Sequence, residues 1–281
     1  MIDLHLHTTA SDGRCSPAEL VERVHASGVT TFAVTDHDTV AALDEVRALI
    51  ADLPLLLVPG LEVTAVWESR DVHVLGYWID TTHAPLLAFL DEQRQRRADR
   101  VRAIGDALAA AGAAVDLEPL LAQVAARAGA AVGRPGVAQA LVAAGHASSV
   151  QDAFDRLLGE GRPAYVGRPG LPPEDVFAII HAAGGVASLA HPGVTRRDDC
   201  IARWARAGLD ALEVYHSDHG DAERTLYLER ARQLGLAVSG GSDFHADDPM
   251  SYRTRHRAIG GSSLPLSDFQ ALAARVPRGA A

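Results

Sequence analysis

The chain of 281 residues carries a net charge of −10 with histidine counted neutral, and about half of it is apolar. That length allows one or two domains or a full α/β barrel, while the acidic balance excludes non-specific binding to duplex nucleic acid or to an anionic membrane. No apolar run reaches the roughly 18–20 residues of a spanning helix, two distant cysteines, Cys15 and Cys200, offer no disulfide framework, and the absence of lysine excludes a Schiff-base mechanism.

The opening MIDLHLHTTASDG lacks the charged head and apolar core of a signal peptide, so a cytoplasmic protein is expected. A first strand is predicted over 2–6. His5 and His7 stand two apart on it and therefore share a face, and the TTASDG turn can bring Asp12 back toward them. Ser16, Pro17 and Gly28 mark the start and end of a helix over 17–27. A second strand over 31–35 runs into TDHD (Asp36, His37, Asp38), where carboxylates flank an imidazole. A helix over 40–50 and a strand over 55–59 follow, and the strand is expected to end in a PGLE turn bearing Glu62. The strand over 72–78 carries His73.

From Thr82 to Gly170 the strand–helix alternation stops, and alanine-rich helices are predicted over 85–112, 118–128, 135–145 and 150–158. In DEQRQRRADRVRAIGDAL the apolar stripe Val101, Ile104, Leu108 extends backward onto Arg97, with Arg94 and Arg100 beside it. Those arginines either face a cavity that takes an anion or form a solvated face paired with Asp91 or Glu92. In GRPGVAQAL, Arg134 precedes the first turn of a helix, where backbone amides also attract anions. Arg162, Tyr165 and Arg168 lie on the return path.

Alternation then resumes. Helices over 173–183, 200–207 and 222–234 lead into strands over 186–190, 210–215 and 236–240. These end in AHPG (His191), a rim segment with Glu213, His216 and Ser217 as substrate contacts, and GSDFH (Asp243, His245). His219 reads as surface, and Arg253, Arg255 and Arg257 as a solvent-exposed basic patch. Seven strands alternating with helices predict parallel βα units closing into a barrel. The expected division is a barrel from 1–81 and 171–276, a helical insertion over 82–170 and a tail over 277–281. Polar strand ends gathered on one rim predict a polynuclear metal site. Nitrogen and oxygen ligands without thiolate suit manganese first, with iron or zinc as alternatives.

These motifs, an HxH…SDG opening, TDHD, PGxE, AHPG and a closing SDxH in that order, resemble the polymerase and histidinol phosphatase (PHP) family of the amidohydrolase superfamily. The resemblance implies a distorted seven-stranded (βα)7 barrel with an all-α insertion, and three divalent metals. It gives one metal His5, His7, Glu62 and Asp243, a second Glu62, His73 and His191, and a third Asp12, His37 and His245. It places Asp12, His37 and His191 at the chemistry, in which bridging metals activate water for attack on phosphorus. The insert after the fourth strand is similar to that of the nucleotide phosphoesterase branch, which implies a hydrolase of the 3′-phosphate of 3′,5′-nucleoside bisphosphates or one trimming short RNA from its 5′ end. Arg97, Arg100, Arg134, Arg168 and His216 are then the expected substrate contacts. The expected partner is a small phosphorylated nucleotide or short 5′-phosphorylated RNA, not duplex DNA or membrane. The branch commonly has histidine after the GRP proline, where this chain has Gly136. Histidinol-phosphate phosphatase and a non-catalytic metal-binding module remain alternatives.

Overall fold

The computed structural model describes residues 1–126, 132–167, 170–246 and 258–277. Seven strands pair in chain order: β1 Ile2–Leu6, β2 Thr31–Val34, β3 Leu56–Trp67, β4 Arg70–Tyr77, β5 Val186–Leu189, β6 Ala211–His216 and β7 Ala237–Gly241. The ring is closed beyond the ends of β1 and β7. There Asp243 N donates to His5 O at 2.8 Å, His7 N donates to Phe244 O at 3.0 Å, and Leu6 bridges Phe244. Gly241 makes that approach possible, since a Cβ there would stand 2.3 Å from the His5 backbone nitrogen. Buried Asp3 secures the same seam by accepting from Ser242 N at 2.9 Å and Gly260 N at 2.8 Å.

All neighbours run parallel except β4, which is antiparallel to both β3 and β5. The expectation of parallel βα units throughout therefore needs correction. Val63 to Trp67 is β-branched and aromatic enough to continue as strand, and Glu68 (φ 47°) and Ser69 (φ 65°) form a two-residue hairpin turn. Nor is PGLE a turn. β3 pairs with β2 as far as Pro59 and with β4 from Gly60 onward, so the proline lies where the strand changes partners and Glu62 lies within a strand.

Helices α1 Pro17–Ala26 and α2 Leu43–Leu49 lie in the first half of the barrel, and a capping box between Ser16 and Glu19 starts α1. Between β4 and β5 the described residues are helical: α3 Ala84–Ala110, α4 Glu118–Ala125, α5 Arg134–Ala143 and α6 Val150–Ala153, which continues as a π-helical turn over Phe154–Leu158. Then come α7 Pro173–Ala182, a short α8 Pro192–Thr195, α9 Asp198–Arg206, α10 Asp221–Leu234 and α11 Leu266–Ala273. α11 lies within the stretch assigned to the barrel, where the sequence patterning predicts no helix.

Because β4 runs backward, Tyr77 lies level with Val186, at the start of β5 and away from the strand-end motifs. α3 therefore starts near the barrel base and climbs its wall, rising about 1.5 Å per residue. Its first turns (Leu86, Phe89, Leu90) pack with Val176, Phe177 and Ile180 of α7 in the barrel core. Its later turns (Val101, Ile104, Leu108) pack in a separate cluster with α5 residues Val137 and Leu141. One helix is thus rooted in two cores. None of the described helices is long and apolar enough to cross a membrane.

Candidate metal centre

Glu62 is the hub. It is 1% exposed, and imidazole nitrogens of five histidines approach its two oxygens. Oε2 lies 3.3 Å from His5 Nε2, 3.3 Å from His7 Nε2 and 3.1 Å from His37 Nδ1. Oε1 lies 2.8 Å from His73 Nδ1 and 3.2 Å from His191 Nε2. Burial opposes ionisation of Glu62, but His37, His73 and His5 outweigh it and hold the carboxyl well below its ordinary range.

The floor is made by β1 and the end of β7. His5 Nε2 and His7 Nε2 lie 3.4 Å and 3.3 Å from Asp243 Oδ1. On the other side of its ring, His5 Nδ1 donates to Glu213 Oε1 at 2.8 Å, which turns the Nε2 lone pair toward two carboxylate oxygens. A lone pair facing anions is repulsive unless a proton or a cation lies between them. His7 Nε2, His37 Nδ1 and His191 Nδ1 are buried without a hydrogen-bond partner among the described residues. Ligands about 2.0–2.1 Å from a tetrahedral cation stand about 3.3–3.4 Å from one another. His5 and His7 each stand at that spacing from Glu62 and from Asp243, and His5, His7 and Asp243 can converge on one ion, so the donor set fits a divalent metal.

At the mouth, His245 Nε2 lies 3.1 Å from Asp12 Oδ1, and His37 Nε2 lies 3.8 Å from Asp12 Oδ2. His7, Asp12, His37 and His245 can converge on one ion, as can His37, Glu62 and His73. All nine residues expected as ligands thus come together in one depression, with His5 and His7 fully buried and Asp12, His73 and His245 part-exposed. Asp38, His191 and Asp243 hold positive φ (51°, 29° and 54°), a cost that non-glycine residues bear where a site fixes them. Burial disfavours charge on His7, but the Asp243 and Glu62 carboxylates beside its Nε2 raise its pKa to about 9. For His191 burial prevails and lowers it to about 4.

Several expected roles change. Asp36 meets Thr8 Oγ1 and Ser11 Oγ at 2.6 Å each and Thr8 N at 2.7 Å, so its acceptor capacity goes to fixing the SDG turn that presents Asp12. Glu213 and His216 are fully buried and cannot line a substrate cavity. Glu213 takes the His5 ring and also accepts from His191 N at 2.7 Å, while His216 Nε2 donates to Asp243 Oδ2 at 3.3 Å. His219 is buried rather than surface, donating from Nδ1 to Val214 O and accepting at Nε2 from Gly193 N. Arg97 lines the same cavity as Arg100 and Arg134, as expected, but it also pairs with buried Asp38 and donates to Thr64 Oγ1 at 3.0 Å, so it clamps α3 to the rim as well. Arg168, Arg253, Arg255 and Arg257 lie outside the described residues.

Arg100 and Arg134 line a cavity of about 360 Å³ beside Asp12, His37 and His73. Both approach Asp71, at 4.0 Å and 3.4 Å. Burial and then the charge of Arg134 lower the pKa of Arg100, so an anion between the two guanidinium groups would relieve both effects. Phe154 lines the same cavity from the π-helical turn, where Gly159 N donates to Phe154 O at 2.8 Å. A Cβ at Gly159 would stand 2.6 Å from that oxygen, so glycine is what lets the turn close. At Gly136 a Cβ would meet Leu120 of α4 at 3.1 Å, so this position serves helix packing, and a histidine there would have to displace α4. Asp71 was legible in principle, two residues before His73 on one strand face. Phe154 was not, because nothing local in the sequence announces a π turn.

The PHP domain family matches residues 3–127. The chain is 40% identical over 259 residues to the 5′-3′ exoribonuclease Rnm of Escherichia coli, covering 88% of this chain and 86% of that protein. It is 33% identical over 250 residues to a 3′,5′-nucleoside bisphosphate phosphatase of Chromobacterium violaceum, covering 87% of each. A metal-dependent phosphoesterase structure from Bifidobacterium adolescentis superposes with a TM-score of 0.86 at 30% identity, over 98% of this chain and 96% of the other.

Proposed function

Since this chain belongs to the PHP domain family, we propose that it is a metal-dependent phosphoesterase that breaks the bond between phosphorus and a ribose 3′-oxygen, in 3′,5′-nucleoside bisphosphates and at the first linkage of short 5′-phosphorylated RNA. The observation that carries this reading is that His5 and His7 each stand at metal-ligand spacing from Glu62 and Asp243, beside a cavity lined by Arg97, Arg100 and Arg134. The ligand sets are His5, His7, Glu62 and Asp243, then Glu62, His73 and His191, then Asp12, His37 and His245. Manganese is the expected ion and the cytoplasm the expected site of action. Divalent cations held there lower the pKa of water and offset the charge that builds on the phosphoryl oxygens.

The chain's own residues set the geometry around that chemistry. Arg100 and Arg134 hold the 5′-phosphate, as a bidentate guanidinium suits an oxyanion. Phe154 supports the nucleoside between that phosphate and the floor. Asp36, through Thr8 and Ser11, fixes the turn that aims Asp12 at the mouth. Arg97 keeps α3 at the height from which Arg100 reaches the cavity.

The test is product release from 3′,5′-adenosine bisphosphate, 5′-phosphorylated RNA and histidinol phosphate, with manganese and then with chelator. Turnover of the nucleotides that ceases with chelator, and in Asp12→Ala or His191→Ala proteins of unchanged circular dichroism, supports the reading. Turnover of histidinol phosphate alone overturns the substrate, and full activity in chelator overturns the metal.

A further inference from the structure

A second cavity, of about 310 Å³, opens onto the same floor. The two meet across His37, Asp71, His73 and Arg134, which line both. The second is walled separately by Arg70, Glu160, Tyr165, Val194 and Thr195. Arg134 forms the partition. Its guanidinium carbon stands 5.8 Å from the Phe154 ring in the first cavity and 5.8 Å from the Tyr165 ring in the second. Each space is on the scale of one small ligand, and each offers one aromatic face. Tyr165 is steadied by its hydroxyl, which donates to Ser69 O at the hairpin tip at 3.5 Å. Val194, 51% exposed, leaves an aliphatic ledge at the mouth.

We propose that this second cavity seats the nucleotide on the 3′ side of the scissile phosphate, with Tyr165 stacking its base, Val194 beneath the sugar and Arg70 near its phosphates. The inference rests on the phosphoesterase reading above and adds to it the seat for the rest of the strand. In a 3′,5′-bisphosphate, a water oxygen bonds to phosphorus, the P–O3′ bond breaks, and a water proton goes to the departing 3′-oxygen. The products are a nucleoside 5′-phosphate and inorganic phosphate. In RNA the same bond breaks at the first linkage, giving a 5′-nucleotide with a free 3′-hydroxyl and a shorter strand with a new 5′-phosphate. The two substrates fill the arginine cavity alike and differ only beyond the scissile phosphorus, where the second cavity lies. Glu160 pairs with Arg70 there at 3.9 Å with both side chains largely exposed, a contact weak enough to yield to a phosphate.

The readout is the ratio of kcat/KM for a 5′-phosphorylated tetraribonucleotide to that for 3′,5′-adenosine bisphosphate, with manganese present. Tyr165→Ala is expected to lower this ratio about tenfold, the scale of losing one base–aromatic stack, and Tyr165→Phe to preserve it. Val194→Glu, at an exposed position that leaves the fold intact, is expected to lower it by placing a carboxylate beside the strand. Phe154→Ala is expected to weaken both substrates and leave the ratio within about twofold, because both use the first cavity. An unmoved ratio in Tyr165→Ala and Val194→Glu overturns the inference, as does a wild-type protein that hydrolyses the bisphosphate but not the RNA. A wild-type protein inert to both overturns the phosphoesterase reading itself.

Discussion

At the scale of single residues, Glu213 shows how a side chain can govern the centre without facing the cavity. It holds the His5 ring through Nδ1 and the His191 backbone through its amide, at a position where His191 bears positive φ. Partners of this kind fix the tautomer and aim of a ligand, and their loss typically costs 10–100-fold in metal affinity. Glu213→Gln keeps shape and volume but offers His5 one good acceptor at most. We expect manganese affinity, measured by titration calorimetry, to fall by about 10–100-fold with unchanged circular dichroism. Wild-type affinity in this variant would show that Glu213 merely fills space. The candidate ligands were legible because strand periodicity puts His5 with His7 on one face and because the TDHD, AHPG and SDFH motifs follow strand ends, whereas Glu62 and His73 lie inside β3 and β4. The partners behind them were not. Glu213 and His219 carry no local mark that distinguishes a rim residue from one sealed beneath it.

At the scale of elements, α3 joins the barrel to the helices between β4 and β5. The pattern made its arginines either cavity-facing or solvated, and the structure divides them: Arg94 and Arg96 pair with exposed acids, while Arg97 and Arg100 reach the cavity, Arg97 paired with Asp38 at its edge. Only the tertiary placement of TDHD against α3 decides that outcome, and no spacing within either segment encodes it. Removing one member of a buried pair strands the other charge, so Arg97→Ala is expected to lose about 3–5 kcal/mol in urea denaturation. Adding Asp38→Asn should restore more than half of that loss, a recovery that an arginine acting only on substrate would not produce. The β3–β4 hairpin was missed for a related reason. Glu68 and Ser69 are not the Asn-Gly type of pair that signals such a turn, so Leu56 to Trp67 read as a short strand plus loop.

At the scale of the whole molecule, the metal centre exists because the sheet closes, bringing residues near position 5 against those near 243. Gly241 sits at that seam. Gly241→Ala would press a methyl group against the His5 backbone and push β1 from β7, separating His5 and His7 from Asp243. We expect about 3 kcal/mol of lost stability in thermal unfolding, together with reduced bound metal by elemental analysis; normal metal content would show the seam to be pliant. The long rod of α3 has a further mechanical consequence. Sunk at one end in the barrel's packing and at the other in that of its companions, it has no joint along Ala84–Ala110 where the wall could swing aside. On the proposed reading, a polymer meeting such unyielding jaws would be fed in tip first, like thread through a needle's eye, and the middle of a folded strand would stay out of reach.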